Sequence, residues 1–275
     1  LMLAGGQFSK SRKHAVWLPS FLERFDPDTL RYYLSINMPE NHDTDFNWPD
    51  FVEKINNELN GTYGNYVNRI MSLGNKLGGD NPLFDCEDLS LCSDDTARLE
   101  EIHMQIKQSL NRHRYKEALR HVMSAAQYGN QMIQKAAPWT AIRDIADGNE
   151  PSAESLAKLS FGWRLARFMA ITSQPFLPFS AQRLWTMLGQ RGCVSETSFD
   201  SAIDWDIPIT WSKISEPLFS RLDLDAILEH EEGLAKVNTE PQHDDPGHGV
   251  KGSGKKSKKS EEKEMTKAPE GTKYL

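Results

Sequence analysis

Cysteines are scarce in this sequence, and their spacing excludes the sites that cysteines usually build. The chain has 275 residues and three cysteines, Cys86, Cys92 and Cys193. No two of them form a Cys-x-x-Cys pair, so we expect no structural zinc site made of cysteines. Their odd number also argues against a disulfide framework. Reduced thiols in a cytoplasmic protein are the simplest interpretation.

Long apolar runs are also absent. The apolar start Leu1–Ala4 has no basic segment ahead of it and does not fit a signal peptide. No stretch approaches the roughly 18 apolar residues that a membrane span requires. We therefore expect a soluble protein that has no membrane partner.

The sequence lacks an excess of positive charge. Its net charge of −7 argues against a nucleic-acid-binding protein, but binding depends on a local patch rather than on the sum. Hydrophobic residues make up only 38% of the chain. The deficit is concentrated after Gly247, so the preceding residues are rich enough in apolar side chains to form a core.

Hydrophobic periodicity predicts helices through most of the chain. The predicted spans are approximately residues 49–79, 94–109, 114–134, 151–171, 180–188 and 224–234. Gly61 and Gly64 indicate a bend within the first of these spans. An earlier interruption, Asp26-Pro27-Asp28, predicts a helix that begins with Asp26 as its N-cap. The predicted fold class is an all-α helical bundle.

A polar loop near the start contains Ser9-Lys10-Ser11-Arg12 after Gly5-Gly6. Hydroxyl and cationic side chains bind polyphosphates, and an ammonium group stabilises the charge that develops on a reacting phosphate. The same residues are common in solvated loops and phosphorylation sites. Taken alone, they favour that second interpretation.

The surroundings of this loop resemble the signature region of class I aminoacyl-tRNA synthetases. In that class a Lys-Met-Ser-Lys-Ser loop precedes a phrase with Asp-Pro-Asp and Leu-Arg-Tyr-Tyr-Leu, and this chain has FDPDTLRYYL at residues 25–34. Further phrases resemble the methionyl-tRNA synthetase family: DTDF (43–46), DFV (50–52), INNEL (55–59), GNYVNR (64–69), AAPW (136–139), QPFLP (174–178) and EPLF (216–219). The resemblance covers about residues 1–230.

The resemblance implies roles for individual residues. The loop that contacts ATP phosphates would comprise Phe8, Ser9, Lys10 and Ser11, with Lys10 as the catalytic lysine. Gln7 stands where the family has its first lysine, and Phe8 where methionine is usual. The residues that read the CAU anticodon would be Asn65, Arg69, Pro138 and Trp139.

The chemistry of these anticodon residues is compatible with that role. Asn65 and Arg69 are four residues apart on a predicted helix, so they project to the same side, at the edge of the apolar stripe. An amide pairs with a base edge, a guanidinium binds a base or phosphate, and the indole of Trp139 stacks on an unstacked base. Without the resemblance, the pair would be interpreted as solvated and the tryptophan as a core or helix-packing residue.

Three segments are predicted. Residues 1–48 would be the end of a catalytic domain with its signature loop and connecting helices, 49–237 the anticodon-binding helical bundle, and 238–275 a low-complexity, disordered linker or tail. The lysines of the tail are either solvated side chains of a linker or groups that attract tRNA phosphates weakly. His103, His113 and His121 lack ligand spacing, so no metal site is predicted.

The implied function is anticodon recognition as part of a methionine–tRNA ligase, which activates methionine with ATP and transfers it to tRNA(Met). ATP with Mg²⁺ would be a substrate, and any zinc would lie in a preceding catalytic portion of the same polypeptide. An OB-fold tRNA-binding domain follows in some members. We expect the main catalytic domain to be missing and this chain alone to be inactive. The alternatives are a non-catalytic tRNA-binding protein and the anticodon domain of another class I synthetase.

Overall fold

A computed structural model describes residues 2–3, 5–7, 9, 15–40, 43–77, 89–210, 212 and 216–239. The strands β1 (Met2–Leu3) and β2 (Asp45–Phe46) pair in parallel. The α-helices are α1 (Leu18–Arg24), α2 (Pro27–Ile36), α3 (Trp48–Lys54), α4 (Asn65–Leu77), α5 (Ser93–Asn111), α6 (Tyr115–Ala136), α7 (Trp139–Ala146), α8 (Ala153–Ser173), α9 (Pro178–Met187) and α10 (Leu224–Thr239). The predicted all-α class is confirmed.

Within the described residues, short 3₁₀ turns lie at Ser90–Cys92, Val194–Glu196 and Phe199–Ile203. The chain divides into compact units of residues 1–232 and 233–275, and the helical core belongs to the first. None of the described helices is long and apolar enough to cross a bilayer. The predicted disorder of the tail falls almost wholly on residues outside the described part.

The helix predicted over residues 49–79 is interrupted by a different type of helix. Residues Ile55–Gly64 form a π-helix between α3 and α4, in which an amide bonds to the carbonyl five residues earlier. The Asn65 amide, for example, donates to the Asn60 carbonyl. A Cβ at Gly61 would lie 3.0 Å from the Asn56 carbonyl oxygen. The glycines therefore mark a wider helical turn where the sequence predicted a bend.

The periodicity of the sequence does not predict α7. This helix has eight residues, too few for a distinct 3.6-residue pattern. It begins directly after Pro138, which occupies the N-cap position. Its first residue is Trp139, so this short helix is relevant to the candidate site.

The phrase Asp26-Pro27-Asp28 joins α2 to α9. One Asp26 oxygen accepts the Asp28 amide at 2.9 Å, which confirms the predicted N-cap, and the other accepts from Arg183 at 2.6 Å. Asp28 is fully buried and accepts the Ser180 amide in the first turn of α9 at 2.6 Å. Burial raises the pKa of the Asp28 carboxyl above its usual value. These contacts fix the connecting helix to the bundle.

The centre of the bundle is packed around Tyr66 of α4. Its ring is fully buried and its hydroxyl donates to the Gly162 carbonyl of α8 at 2.6 Å. On the other side, a Cβ at Gly129 of α6 would lie 2.4 Å from the nearest Tyr66 ring carbon. Only glycine allows the α6 backbone to approach the ring this closely.

His103 of α5 is a buried histidine packed beneath a 3₁₀ turn. Its ring stacks on Phe199 at 4.9 Å, and its Nε2 lies 3.2 Å from the Phe199 carbonyl oxygen. Asp200 and Lys107 pair with each other at the rim, at 2.7 Å. Burial lowers the pKa of His103 below its ordinary 6.5, partly opposed by the Phe199 carbonyl and Asp200.

Replacing Gly129 by Ala tests the contact with Tyr66. The added methyl group has to displace a buried, hydrogen-bonded ring, so we expect a loss of about 1–3 kcal/mol in the free energy of unfolding, measured by urea denaturation. Gly233→Ala in α10 is the matched control, because a Cβ there meets nothing within 4 Å. It should stabilise the helix by up to about 1 kcal/mol, since alanine has a higher helix propensity than glycine. Equal stability of Gly129→Ala and the unchanged chain would contradict this packing.

The buried His103 predicts a pH dependence of stability. Its pKa is lower in the folded than in the unfolded state, so the unfolded chain binds a proton that the folded chain does not. The free energy of unfolding should therefore fall as the pH decreases from about 6.5 towards the folded-state pKa. Denaturation curves for the unchanged chain and His103→Gln across this range measure the effect. An identical pH slope in both proteins would exclude His103 as its source.

Candidate nucleic-acid interface

Asn65 and Arg69 occupy the first two turns of α4, immediately after the π-helix. Asn65 is exposed and Arg69 is half-buried, whereas the intervening Tyr66 and the following Ile70 are fully buried. The prediction that the polar pair lies at the edge of the apolar stripe is therefore confirmed.

Asn130 of α6 connects the two residues. Its Oδ1 accepts a hydrogen bond from the Asn65 side-chain amide at 3.0 Å and lies 3.4 Å from Nη1 of Arg69. The same guanidinium nitrogen lies 3.4 Å from the Asn130 carbonyl oxygen. One amide oxygen thus holds the Asn65 and Arg69 side chains together at the surface.

The other side of the Asn130 amide is bound to backbone. Its Nδ2 donates to the Thr62 carbonyl at 2.9 Å and to the Ala126 carbonyl at 3.1 Å. Thr62 belongs to the π-helix and Ala126 lies one turn earlier on α6. The amide therefore has a fixed orientation, with its oxygen facing Asn65 and Arg69.

The Arg69 guanidinium makes no ion pair with a described residue at this surface. Its second nitrogen lies 3.4 Å from Oε1 of Gln134, so its partners within the described chain are neutral amides and a carbonyl. These contacts are long for charge-assisted bonds. A guanidinium held in this way can exchange weak neutral partners for a phosphate or a base edge.

A tight turn at the end of α6 sets the position of Trp139. Ala137 has left-handed backbone angles (φ 45°, ψ 51°), and its amide donates to the Ile133 carbonyl. The Thr140 amide and hydroxyl both bond to the Ala137 carbonyl, at 3.0 and 2.9 Å. Trp139 is 42% exposed, so it is not a buried core residue and part of its indole faces solvent.

The fold brings three of the predicted anticodon residues to adjacent helices. α7 packs against α4 and α8, so Trp139 is carried beside the helix of Asn65 and Arg69. Pro138 is buried and supports the turn instead of presenting a surface. The assembly offers an amide, a guanidinium and an exposed indole, which are the groups that recognise unstacked bases.

The other predicted site residues belong to the proposed ATP-phosphate loop. Phe8, Lys10 and Ser11 lie outside the described residues, and Ser9 is half-buried near β1. No three His, Cys, Asp or Glu side chains of the described chain are grouped as metal ligands. Asn130 and Gln134 were missed by the sequence analysis, although their spacing of four residues on a helix repeats that of Asn65 and Arg69.

Comparison with known families agrees with this geometry. Residues 85–234 match the family described as the anticodon binding domain of methionyl tRNA ligase. This chain belongs to that family. Residues 1–71 match a second family, described as class I (M) tRNA synthetases. The resemblance found in the sequence is therefore confirmed, and Asn130, Trp139 and α6–α8 all lie within the anticodon-binding match.

Curated relatives carry the same description. A methionine–tRNA ligase of Bacillus cereus is 33% identical over 227 residues, which cover 82% of this chain and 38% of the relative. A methionine–tRNA ligase of Methanopyrus kandleri is 32% identical over 240 residues, which cover 85% of this chain and 34% of the relative. The chain thus spans well under half the length of these ligases.

Solved structures share the fold. Methionyl-tRNA synthetase of Mycobacterium tuberculosis in its apo form aligns with a TM-score of 0.64 at 21% identity, covering 76% of this chain and 41% of that chain. The same enzyme in complex with methionyl-adenylate aligns with a TM-score of 0.64 at 23% identity, covering 80% and 43%. At these identities the likeness shows the fold alone.

Asn130→Ala tests the role of this amide in holding the surface together. The variant loses the bonds to Asn65 and Thr62, so we expect the free energy of unfolding to fall by about 1–3 kcal/mol. The control is Gln134→Ala, which removes one long contact with Arg69. It should change the free energy of unfolding by less than about 0.5 kcal/mol. Urea denaturation of both variants measures the difference. Equal losses would show that Asn130 has no special structural role.

Proposed function

We propose that this surface reads the anticodon of tRNA(Met), within a methionine–tRNA ligase that activates methionine with ATP. Asn65, Arg69 and Trp139 would contact the anticodon bases, and Pro138 would support Trp139. The observation that carries the proposal is the Asn130 amide oxygen, which holds Asn65 and Arg69 side by side on the surface before any RNA is bound.

The arrangement favours base recognition for a physical reason. Ordering flexible side chains costs affinity on binding, and the 3.0 Å bond to Asn130 has already ordered the Asn65 side chain. The long Arg69 contacts are weak, so little is lost when the guanidinium turns to a base or phosphate. The exposed indole of Trp139 adds stacking, and Asn65 adds a donor and an acceptor for a base edge.

The remaining assignments rest on the family. The segments 1–48, 49–237 and 238–275 would be the end of a catalytic domain, the anticodon-binding bundle and a linker or tail. Lys10 would contact the phosphates of ATP in the loop of Phe8, Ser9 and Ser11, and ATP would enter with Mg²⁺ as a substrate. Any zinc and a further OB-fold domain would belong to other parts of a longer ligase, working in the cytoplasm, where tRNA is charged.

Binding of RNA hairpins with different anticodons tests the proposal. The chain should bind a CAU hairpin more tightly than hairpins in which single anticodon bases are changed. Trp139→Ala should weaken CAU binding by roughly 5- to 150-fold, because base stacking on an aromatic ring contributes about 1–3 kcal/mol. Fluorescence anisotropy with labelled hairpins measures the dissociation constants.

Trp17→Ala is the matched control, since Trp17 is 48% exposed and lies at the start of α1, outside the candidate site. It should bind the CAU hairpin as the unchanged chain does. Equal affinity for all anticodons, with no loss in Trp139→Ala, would contradict anticodon recognition at this surface.

A further inference from the structure

The turn between α5 and α6 forms an exposed basic tip, which we define as residues Arg112, His113, Arg114, Tyr115 and Lys116. The first four are exposed and Lys116 is half-buried. Between residues 112 and 121 four cationic side chains stand against one acidic side chain, a local charge of +3, whereas the whole chain carries −7. The sign of the charge at this tip is therefore opposite to that of the molecule.

The backbone of the tip is held in a defined, strained shape. His113 has a φ of 58°, a left-handed conformation that costs a non-glycine residue about 1–2 kcal/mol. Its amide donates to the Leu110 carbonyl at 3.0 Å, and the Arg114 amide to the Ser109 carbonyl at 2.9 Å. The His113 Nδ1 lies 3.0 Å from the Tyr115 hydroxyl. Strain of this kind persists where the surrounding contacts fix it and is frequent at binding sites.

The cations of the tip are only weakly neutralised. Arg114 lies 3.4 Å from Glu117, and both side chains are about half exposed, so water and salt screen this pair. Arg112 makes no ion pair with a described residue. The Lys116 amide donates to the Glu40 carboxylate at 3.4 Å, so a second acidic side chain lies at the tip and the local charge, with Glu40 included, is +2. Positive charge thus remains available to an external anion.

One face of α6 joins this tip to the candidate anticodon site. An α-helix turns by about 100° per residue. Four side chains therefore lie within about 40° of one another around the axis of α6: Lys116, Arg120, Gln127 and Gln134. From Lys116 to Gln134 this row extends about 27 Å. After Glu117, α6 contains no acidic residue. An anionic chain lying along this face meets no carboxylate of α6 between Arg120 and Gln134.

We propose that the basic tip, together with Arg120, is a second RNA-contact site that binds phosphates of the RNA stem. The inference rests on the proposed function, because the anticodon loop at the far end of α6 would set the course of the stem. Arginine and lysine contacts to phosphates position an RNA without reading its sequence. The tip would thus raise affinity equally for all anticodons, while the surface around Asn130 supplies the preference for CAU.

Two hairpins with the same CAU loop separate the two sites. One has a stem of only a few base pairs, and the other a stem long enough to span the roughly 27 Å of the α6 face. The test variant is Arg112→Gln/Arg114→Gln. The control is Arg98→Gln/Arg191→Gln, which also removes two exposed arginines. It is matched because Arg98 pairs with the glutamate three residues later, as Arg114 does.

We expect the test variant to bind the long hairpin about tenfold more weakly at low salt. The slope of log affinity against log salt concentration should decrease in magnitude by about 1–2, since two phosphate contacts are lost. Affinity for the short hairpin should not change, and the control should bind both hairpins as the unchanged chain does. Anisotropy titrations at several salt concentrations give all four comparisons.

Other outcomes overturn one proposal or both. If the test variant binds the long hairpin as tightly as the control does, the tip is not an RNA site. The anticodon proposal still stands in that case, provided that the unchanged chain binds the short hairpin with a preference for CAU. A loss of equal size for both hairpins also contradicts a stem contact. Failure of the unchanged chain to bind either hairpin would overturn both proposals.

Discussion

The contact between the Tyr66 ring and the backbone at Gly129 is the constraint on which the candidate site depends. It sets how closely α4 approaches α6. The residues beside this contact, Asn65 before Tyr66 and Asn130 after Gly129, bond to each other at 3.0 Å. A wider separation would break this bond and the longer ones to Arg69. The geometry of the candidate site is thus a direct result of core packing one residue away.

Several sequence phrases that resemble the family are explained by contacts within the bundle. The Asp-Pro-Asp phrase caps two helices, α2 and α9. Asn56, in the π-helix, exchanges two hydrogen bonds with the backbone of Leu222, at 2.8 and 2.9 Å, and Phe219 packs on Tyr63 with ring centroids 5.9 Å apart. These residues hold residues 219–222 and the connecting helices against the bundle.

The sequence predicted the features that depend on local pattern. Helix positions, the Asp26 cap and the polar edge of α4 follow from spacing and side-chain chemistry. It did not predict the π-helix, because its residues keep an apolar spacing compatible with an α-helix. It also missed Asn130, whose role arises only when Thr62 and Asn65 are brought to it from more than 60 residues away in the chain. Tertiary contacts of that kind leave no periodic signal.

Nuclear magnetic resonance of the chain during titration with a CAU hairpin shows whether the RNA contacts the surface around Asn130. The seven tryptophans give few indole N–H signals, and Trp139→Phe assigns the one of interest. If this surface reads the anticodon, this signal and the side-chain amide signals of Asn65 and Asn130 shift together and saturate with the CAU hairpin. They shift less with a hairpin whose anticodon is changed. Saturable binding that leaves these three signals unmoved would contradict anticodon recognition at this surface.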